Sequence, residues 1–218
     1  MEEASLFLDS LISIKGVCFD FVERIPGLPT STDKEETLAQ LLPHHSLAAM
    51  KLGFRSTYLA EQVHGSKIVT VTQDTPLLSK GADGSISNTA GILLGIHVAD
   101  CGALYLIDRL TSAIGLLHSG KKGTEANITG QAIARMSEEF GTDPADLTAV
   151  LAPCIRPPHY EVDFAVDIKQ QALAAGISTE NYHDSGLCTA SDLHRFYSYR
   201  LEKGNTGRML ALLGILPS

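Results

Sequence analysis

The sequence has no tryptophan, so no indole is available as a stacking surface. It lacks a basic excess: Lys and Arg number 17 against 25 Asp and Glu, a formal charge of −8. A nucleic-acid or anionic-membrane binder needs a basic face, so that balance argues against both, while leaving room for a small basic pocket around a small anion. Charged residues make up only 19% of the chain and hydrophobic ones 44%, which excludes an intrinsically disordered chain. Cysteine is sparse. Cys18, Cys101, Cys154 and Cys188 are scattered with no CxxC pair, which reads as a reduced, cytoplasmic protein and not a disulfide scaffold. No run approaches the ~20 apolar residues of a membrane-spanning helix. The opening segment MEEASLFLDSLISIKG is acidic and its apolar run is short and interrupted, a poor signal peptide.

The 218 residues fit one domain, spanning 1–218. A chain of that size buries roughly 70% of its unfolded surface, enough for a real core. The pattern predicts strands over 15–22, 56–60, 67–71, 91–99, 103–108, 112–118, 147–155 and 208–215. Near-continuous apolar character from 91 to 118 implies burial on both faces. Helices are expected after a cap at Ser31, Thr32 or Asp33, over 124–140 up to Gly141, over 164–175, and around 190–201. Strands and helices intermix without strict alternation, so the expected class is α/β with a mixed sheet.

Three segments carry candidate chemistry. In Gln62-Val63-His64-Gly65 a histidine sits in a break between two strands, where it either projects into a cleft or bonds to nearby backbone. In Val98-Ala99-Asp100-Cys101-Gly102 a carboxylate and a thiol stand where an apolar strand should end. Strand alternation would put His97, Ala99 and Cys101 on one face and Asp100 on the other. In His118-Ser119-Gly120-Lys121-Lys122-Gly123-Thr124 a strand delivers a histidine into a glycine-bracketed loop at a helix start. Its amides and two lysines form an anion site, or else a plain loop with solvated lysines. Together His64, Cys101 and His118 make one thiolate and two imidazoles, the ligand set of a catalytic zinc site with a fourth position open. Copper would accept the same ligands. The other histidines form no second cluster: His44 and His45 follow Pro43 and read as solvated loop, and His97 as a satisfied core residue. Cys18, Cys154 and Cys188 read as buried packing residues.

These segments, in this order, resemble the laccase-domain family, first called multicopper polyphenol oxidoreductases and now read as zinc-dependent purine nucleoside phosphorylases. The resemblance runs from about Tyr58 to the C-terminus. It rests on QVHG at 62–65, GADG at 81–84, ADC at 99–101, HSGKKGT at 118–124, PCIRPPHYEV at 153–162 and FYSYRLEKGNTGRM at 196–209, with residues 1–55 divergent. It implies a layered α/β sandwich with a mixed sheet, the site at one end, and a metal held by His64, Cys101 and His118. Asp83 and Asp100 match the family's aspartates and are expected in polar or proton-handling roles beside Cys101. Lys121, Lys122, Gly123 and Arg200 are expected to meet phosphate or substrate. Lys121-Lys122 replaces the family's usual Trp-Arg, exchanging a guanidinium fork for point charges.

The activity so implied is phosphorolysis of adenosine, inosine and methylthioadenosine, a transferase reaction, with adenosine deamination, a hydrolase reaction, as a further one. The partners are a small nucleoside and phosphate, with neither nucleic acid nor membrane, in a monomer or homodimer. Three alternatives stand beside it. Cys101 could act as the nucleophile of a hydrolase or amidase editing cell-wall precursors, with His118 or His64 as base. The chain could be a zinc-binding member without activity. A copper polyphenol oxidase would need more copper ligands than one three-residue site provides.

Overall fold

The computed structural model describes residues 6–11 and 13–217. The segment read as a poor signal peptide lies partly outside them; Leu6–Leu11 is a 3-10 turn. In chain order the elements are β1 (Val17–Val22), α1 (Lys34–Lys51), β2 (Tyr58–Ala60), β3 (Ile68–Thr70), β4 (Leu78–Ser79), β5 (Gly84–Ser87), β6 (Leu93–Val98), β7 (Gly102–Asp108) and β8 (Ile114–Ser119). There follow α2 (Lys121–Glu125), α3 (Ile128–Phe140), β9 (Leu147–Leu151), α4 (Phe164–Ala174), β10 (Tyr182–Asp184) and β11 (Met209–Ile215).

The strands form two mixed sheets, β1-β11-β6-β2-β4 and β10-β9-β7-β8-β5-β3, in keeping with the layered α/β sandwich expected. Alternation along each strand explains the layering. Leu94, Ile96, Val98, Ala211 and Leu213 of the first sheet face Ala103, Tyr105, Ile107, Ile114 and Leu116 of the second. The intervening residues Leu104, Leu106 and Leu117 point outward to Ile133, Met136 and Ile168 of α3 and α4. On the far side Leu93, Leu210 and Leu212 meet Ala48 and Ala49 of α1. The result is a four-layer sandwich, helix, sheet, sheet, helices. Strands covered on both faces read as continuous apolar runs for this reason.

Several local expectations need correction. Asp33 does cap α1, accepting from the amides of Glu35 and Glu36. The helix, however, runs through Pro43, whose missing N–H leaves one carbonyl of the preceding turn without its donor. His44 and His45 are therefore helical, and His45 is buried at 5% exposure. The helix expected from 124 begins at Lys121 and breaks at Asn127, which adopts φ 57° and caps α3 through a bond from the amide of Gly130. The helix expected around 190–201 is a 3-10 turn, Thr189–Ser191, followed by turns. Cys154 is buried, but Cys18 and Cys188 are only half-buried.

Candidate metal centre and cleft

The site lies where the chain passes from one sheet to the other. The chain changes sheet six times, and the three passages from the first sheet to the second, β2 to β3, β4 to β5 and β6 to β7, build the site. They carry His64, Asp83 and Cys101 respectively, and His118 arrives near the end of β8, paired in register with Ala103. A crossing requires the backbone to leave regular geometry. Gln62, His64 and Asp100 all have positive φ, at 65°, 63° and 84°, rare for residues other than glycine. The alternation expected for 97–101 fails here, since β6 ends at Val98.

Asp83 organises the crossings. It is fully buried and accepts hydrogen bonds from the amides of His64 (2.8 Å), Gly65 (2.7 Å) and Val63 (3.3 Å). Its Oδ1 also accepts from Nδ1 of His118 at 2.9 Å. Burial pushes its carboxyl up, but these bonds outweigh it and hold it below the usual range. A carboxylate that fixes Nδ1 leaves Nε2 of His118 free, the usual arrangement for a metal-ligating histidine.

The ligand atoms of His64, Cys101 and His118 lie within 4.8 Å of one another, the only such group among the described residues. The two imidazoles stand edge to face, centroids 5.0 Å apart. Burial raises the Cys101 thiol, yet hydrogen bonding to His118 and His64 more than offsets it and brings it down to about 6. The thiolate is the form that binds metal. Burial lowers His118, but Asp83 and Cys101 outweigh it and lift it to about 9. Gly120 has an ordinary φ of −95°, but a Cβ there would sit 2.5 Å from Sγ of Cys101. The donor set, the carboxylate behind His118 and the space kept by Gly120 all fit a thiophilic transition-metal ion.

The triad opens into a cleft of about 680 Å³. Asp100 lines it, with both oxygens engaged: Oδ1 accepts from Oγ1 of Thr189 and Oδ2 from the Arg200 amide, each at 2.7 Å. Lys121, Lys122 and Arg200 line it, and Lys34, Lys203 and Arg208 add three cations that sequence reasoning missed. Gly123 is buried behind the wall, where a Cβ would come 3.0 Å from the Gly65 carbonyl. Asp83 does not line the cleft. His97 does, and its Nε2 shares a 3.3 Å hydrogen bond with Nδ1 of His45, so His45 is not the solvated residue expected. Tyr160, Phe164 and Tyr199 supply the aromatic surface that the absence of tryptophan left in question.

A family model described as multi-copper polyphenol oxidoreductase laccase matches residues 28–168 and 162–216. The chain belongs to this laccase family. The match reaches back to residue 28, well before the motifs that begin at Gln62. Among relatives, the purine nucleoside phosphorylase YlmD of Geobacillus stearothermophilus is 31% identical over 192 residues, 71% of this chain and 70% of that protein. A purine nucleoside phosphorylase of Deinococcus radiodurans is 31% identical over 210 residues, 84% and 80% respectively. The crystal structure of the Geobacillus stearothermophilus YlmD superposes with a TM-score of 0.84 at 25% identity, covering 93% of both chains. The family is a metal-dependent one, and His64, Cys101 and His118 form a group that could bind a metal. No helix among the described residues is long and apolar enough to cross a membrane.

Proposed function

We propose that this laccase-family chain is a zinc-dependent purine nucleoside phosphorylase. The observation that carries the reading is a cysteine–histidine metal group opening into a cleft walled by cations and aromatic rings, in a chain whose relatives bear that name. A cleft of about 680 Å³ falls within the range of about 300–1,000 Å³ typical of small-ligand sites.

His64, Cys101 and His118 would hold the metal, which when bound supplies Lewis-acid stabilisation of negative charge on a substrate oxygen. The remaining work falls to the chain's own groups. Lys121 and Lys122 attract phosphate and orient it toward the ribose. Tyr160 and Tyr199 offer faces to the purine and exclude water from one side of it. Asp100, at the cleft wall, is the carboxylate placed to exchange a proton with the departing base. Asp83 is a positioning residue, since it lies behind His118 and its oxygens already accept four donors.

Incubation of the metal-loaded protein with adenosine and phosphate is expected to yield adenine and ribose 1-phosphate. Inosine among the products would mark the deaminase reaction in addition. No turnover of any purine nucleoside with a full complement of zinc would refute the proposal. A specific observation favours one competitor: the lowered Cys101 thiol also suits a nucleophile. Alkylation of Cys101 that inactivates the protein without loss of metal would support that thiol hydrolase instead.

A further inference from the structure

The cleft holds more positive charge than inorganic phosphate can neutralise. Six basic side chains line it, and the single acidic one is Asp100, both of whose oxygens are already engaged. Arg200 has an ion-pair partner, Glu161, at 3.0 Å. Among the described residues Lys34, Lys121, Lys122, Lys203 and Arg208 make no ion pair. One phosphate dianion leaves most of that charge unbalanced, and a metal ion adds to the excess.

The cations fall on different sheets. Lys121 and Lys122 open α2, directly after Gly120 and the triad. Lys34 opens α1, which packs on the other sheet, and Arg208 directly precedes β11 of that same sheet. Lys34 and Arg208 both act on His97 of β6, pressing it toward the neutral form after burial and His45 have done so. Arg208 is half-buried and spends its Nη1 on the carbonyls of Thr206 and Gly207, at 3.1 and 2.8 Å, with no carboxylate. Its guanidinium stands 5.8 Å from the centre of the Tyr199 ring, so charge and aromatic surface adjoin. Asp100 and the Cys101 thiol act on the Arg208 guanidinium through space, but neither forms an ion pair with it, which favours a ligand anion beside it.

We propose that the cleft has a second anion subsite, formed by Lys34 and Arg208 beside His97, and that its substrate is a nucleoside carrying its own phosphate, a nucleoside 5′-monophosphate. This deepens the phosphorylase reading and rests on it. The reaction is then a transfer between two anions held apart by two sheets. An oxygen of inorganic phosphate bonds to C1′, the C1′–N9 bond breaks, and the base leaves with the electron pair. The proton given up by the attacking phosphate balances the one the base takes, and the sugar leaves as ribose 1,5-bisphosphate.

Calorimetric titration of the metal-loaded protein with adenosine and with adenosine 5′-monophosphate, each with and without saturating sulfate as an unreactive stand-in for inorganic phosphate, tests this. The monophosphate is expected to bind about tenfold or more tightly than adenosine. Lys34→Ala, at an exposed helix start whose Asp33 cap is untouched, should reduce that ratio to about threefold or less, and Arg208→Gln should do the same. Equal affinity in the unaltered protein overturns the proposal. So does a preference that sulfate abolishes, because the nucleotide would then occupy the Lys121–Lys122 position only. A ratio unchanged by Lys34→Ala also overturns it. The two readings separate cleanly: turnover of adenosine without a nucleotide preference sinks the subsite alone, whereas a persistent preference without any phosphorolysis sinks the phosphorylase reading and keeps the subsite.

Discussion

Oδ1 of Asp83 lies 2.9 Å from Nδ1 of His118, and the same carboxylate accepts the amides of His64 and Gly65. One buried side chain thus sets the ring orientation of one metal-ligand candidate and the backbone of another. Asp83→Asn keeps the shape but turns a nitrogen donor toward a set of donors. Loss of such an outer partner typically weakens metal binding by about 10–100-fold. A chelator competition on the purified variant measures this directly, and an unchanged affinity would show that His118 is oriented by something else.

Gly120 offers a steric test of the same centre. Its backbone is open to alanine, so the effect of Gly120→Ala comes only from the new Cβ, 2.5 Å from Sγ of Cys101. That contact must displace the thiol or the loop. A forced overpacking of this kind costs about 1–3 kcal/mol. The expected outcome is a protein with substoichiometric metal and a lower unfolding midpoint, read by elemental analysis and thermal denaturation. Full metal content would show that the Cys101 thiol moves aside without leaving the ligand set.

Much of this site was legible before the fold. His64, Cys101 and His118 each stood out because a reactive side chain interrupted an apolar, glycine-flanked strand pattern. The sheet crossings that bring them together left no local signature, because β6 and β7 belong to different sheets yet read as one continuous apolar stretch. Lys34 and Arg208 were invisible as site residues for a related reason: each is an ordinary charged residue at the end of an element, and only tertiary packing turns it into the cleft. Pro43 hid the buried His45, since a proline reads as a helix stop while α1 continues through it. Asn127 broke the predicted 124–140 helix because its left-handed backbone reverses the local course, which helix propensity alone does not show.

Thr189 and Asp100 form the second polar anchor. Oγ1 of Thr189 donates to Oδ1 of Asp100 at 2.7 Å, and both residues are buried. Thr189→Val preserves shape and removes the donor, leaving one oxygen of a buried carboxylate unsatisfied. Such a loss costs about 1–3 kcal/mol. Urea unfolding should show that drop in stability. Activity should fall with it, since Asp100 (φ 84°) immediately precedes Cys101. A variant as stable as the parent would mean that Asp100 finds a replacement donor.

The pair His45 and His97 predicts an acid-sensitive fold. Burial holds His45 down at about 4, with the Arg208 carbonyl opposing and His44 assisting. Burial, then His45, Lys34 and Arg208, hold His97 at about 3. Both folded values lie below the unfolded value near ~6.5. Between those limits the unfolded chain binds protons that the folded one refuses, so stability is full above about pH 6.5 and is lost as pH falls toward 4 and below. The two rings share one hydrogen bond, so they respond together and not as independent sites. The slope attributable to the pair is about 1 kcal/mol per pH unit or more. Thermal midpoints measured from pH 7 to pH 4 should fall for the parent and fall less for His45→Gln, which has no proton to gain. Parallel curves for the two proteins would show that the acid sensitivity arises from the carboxylates and not from this pair.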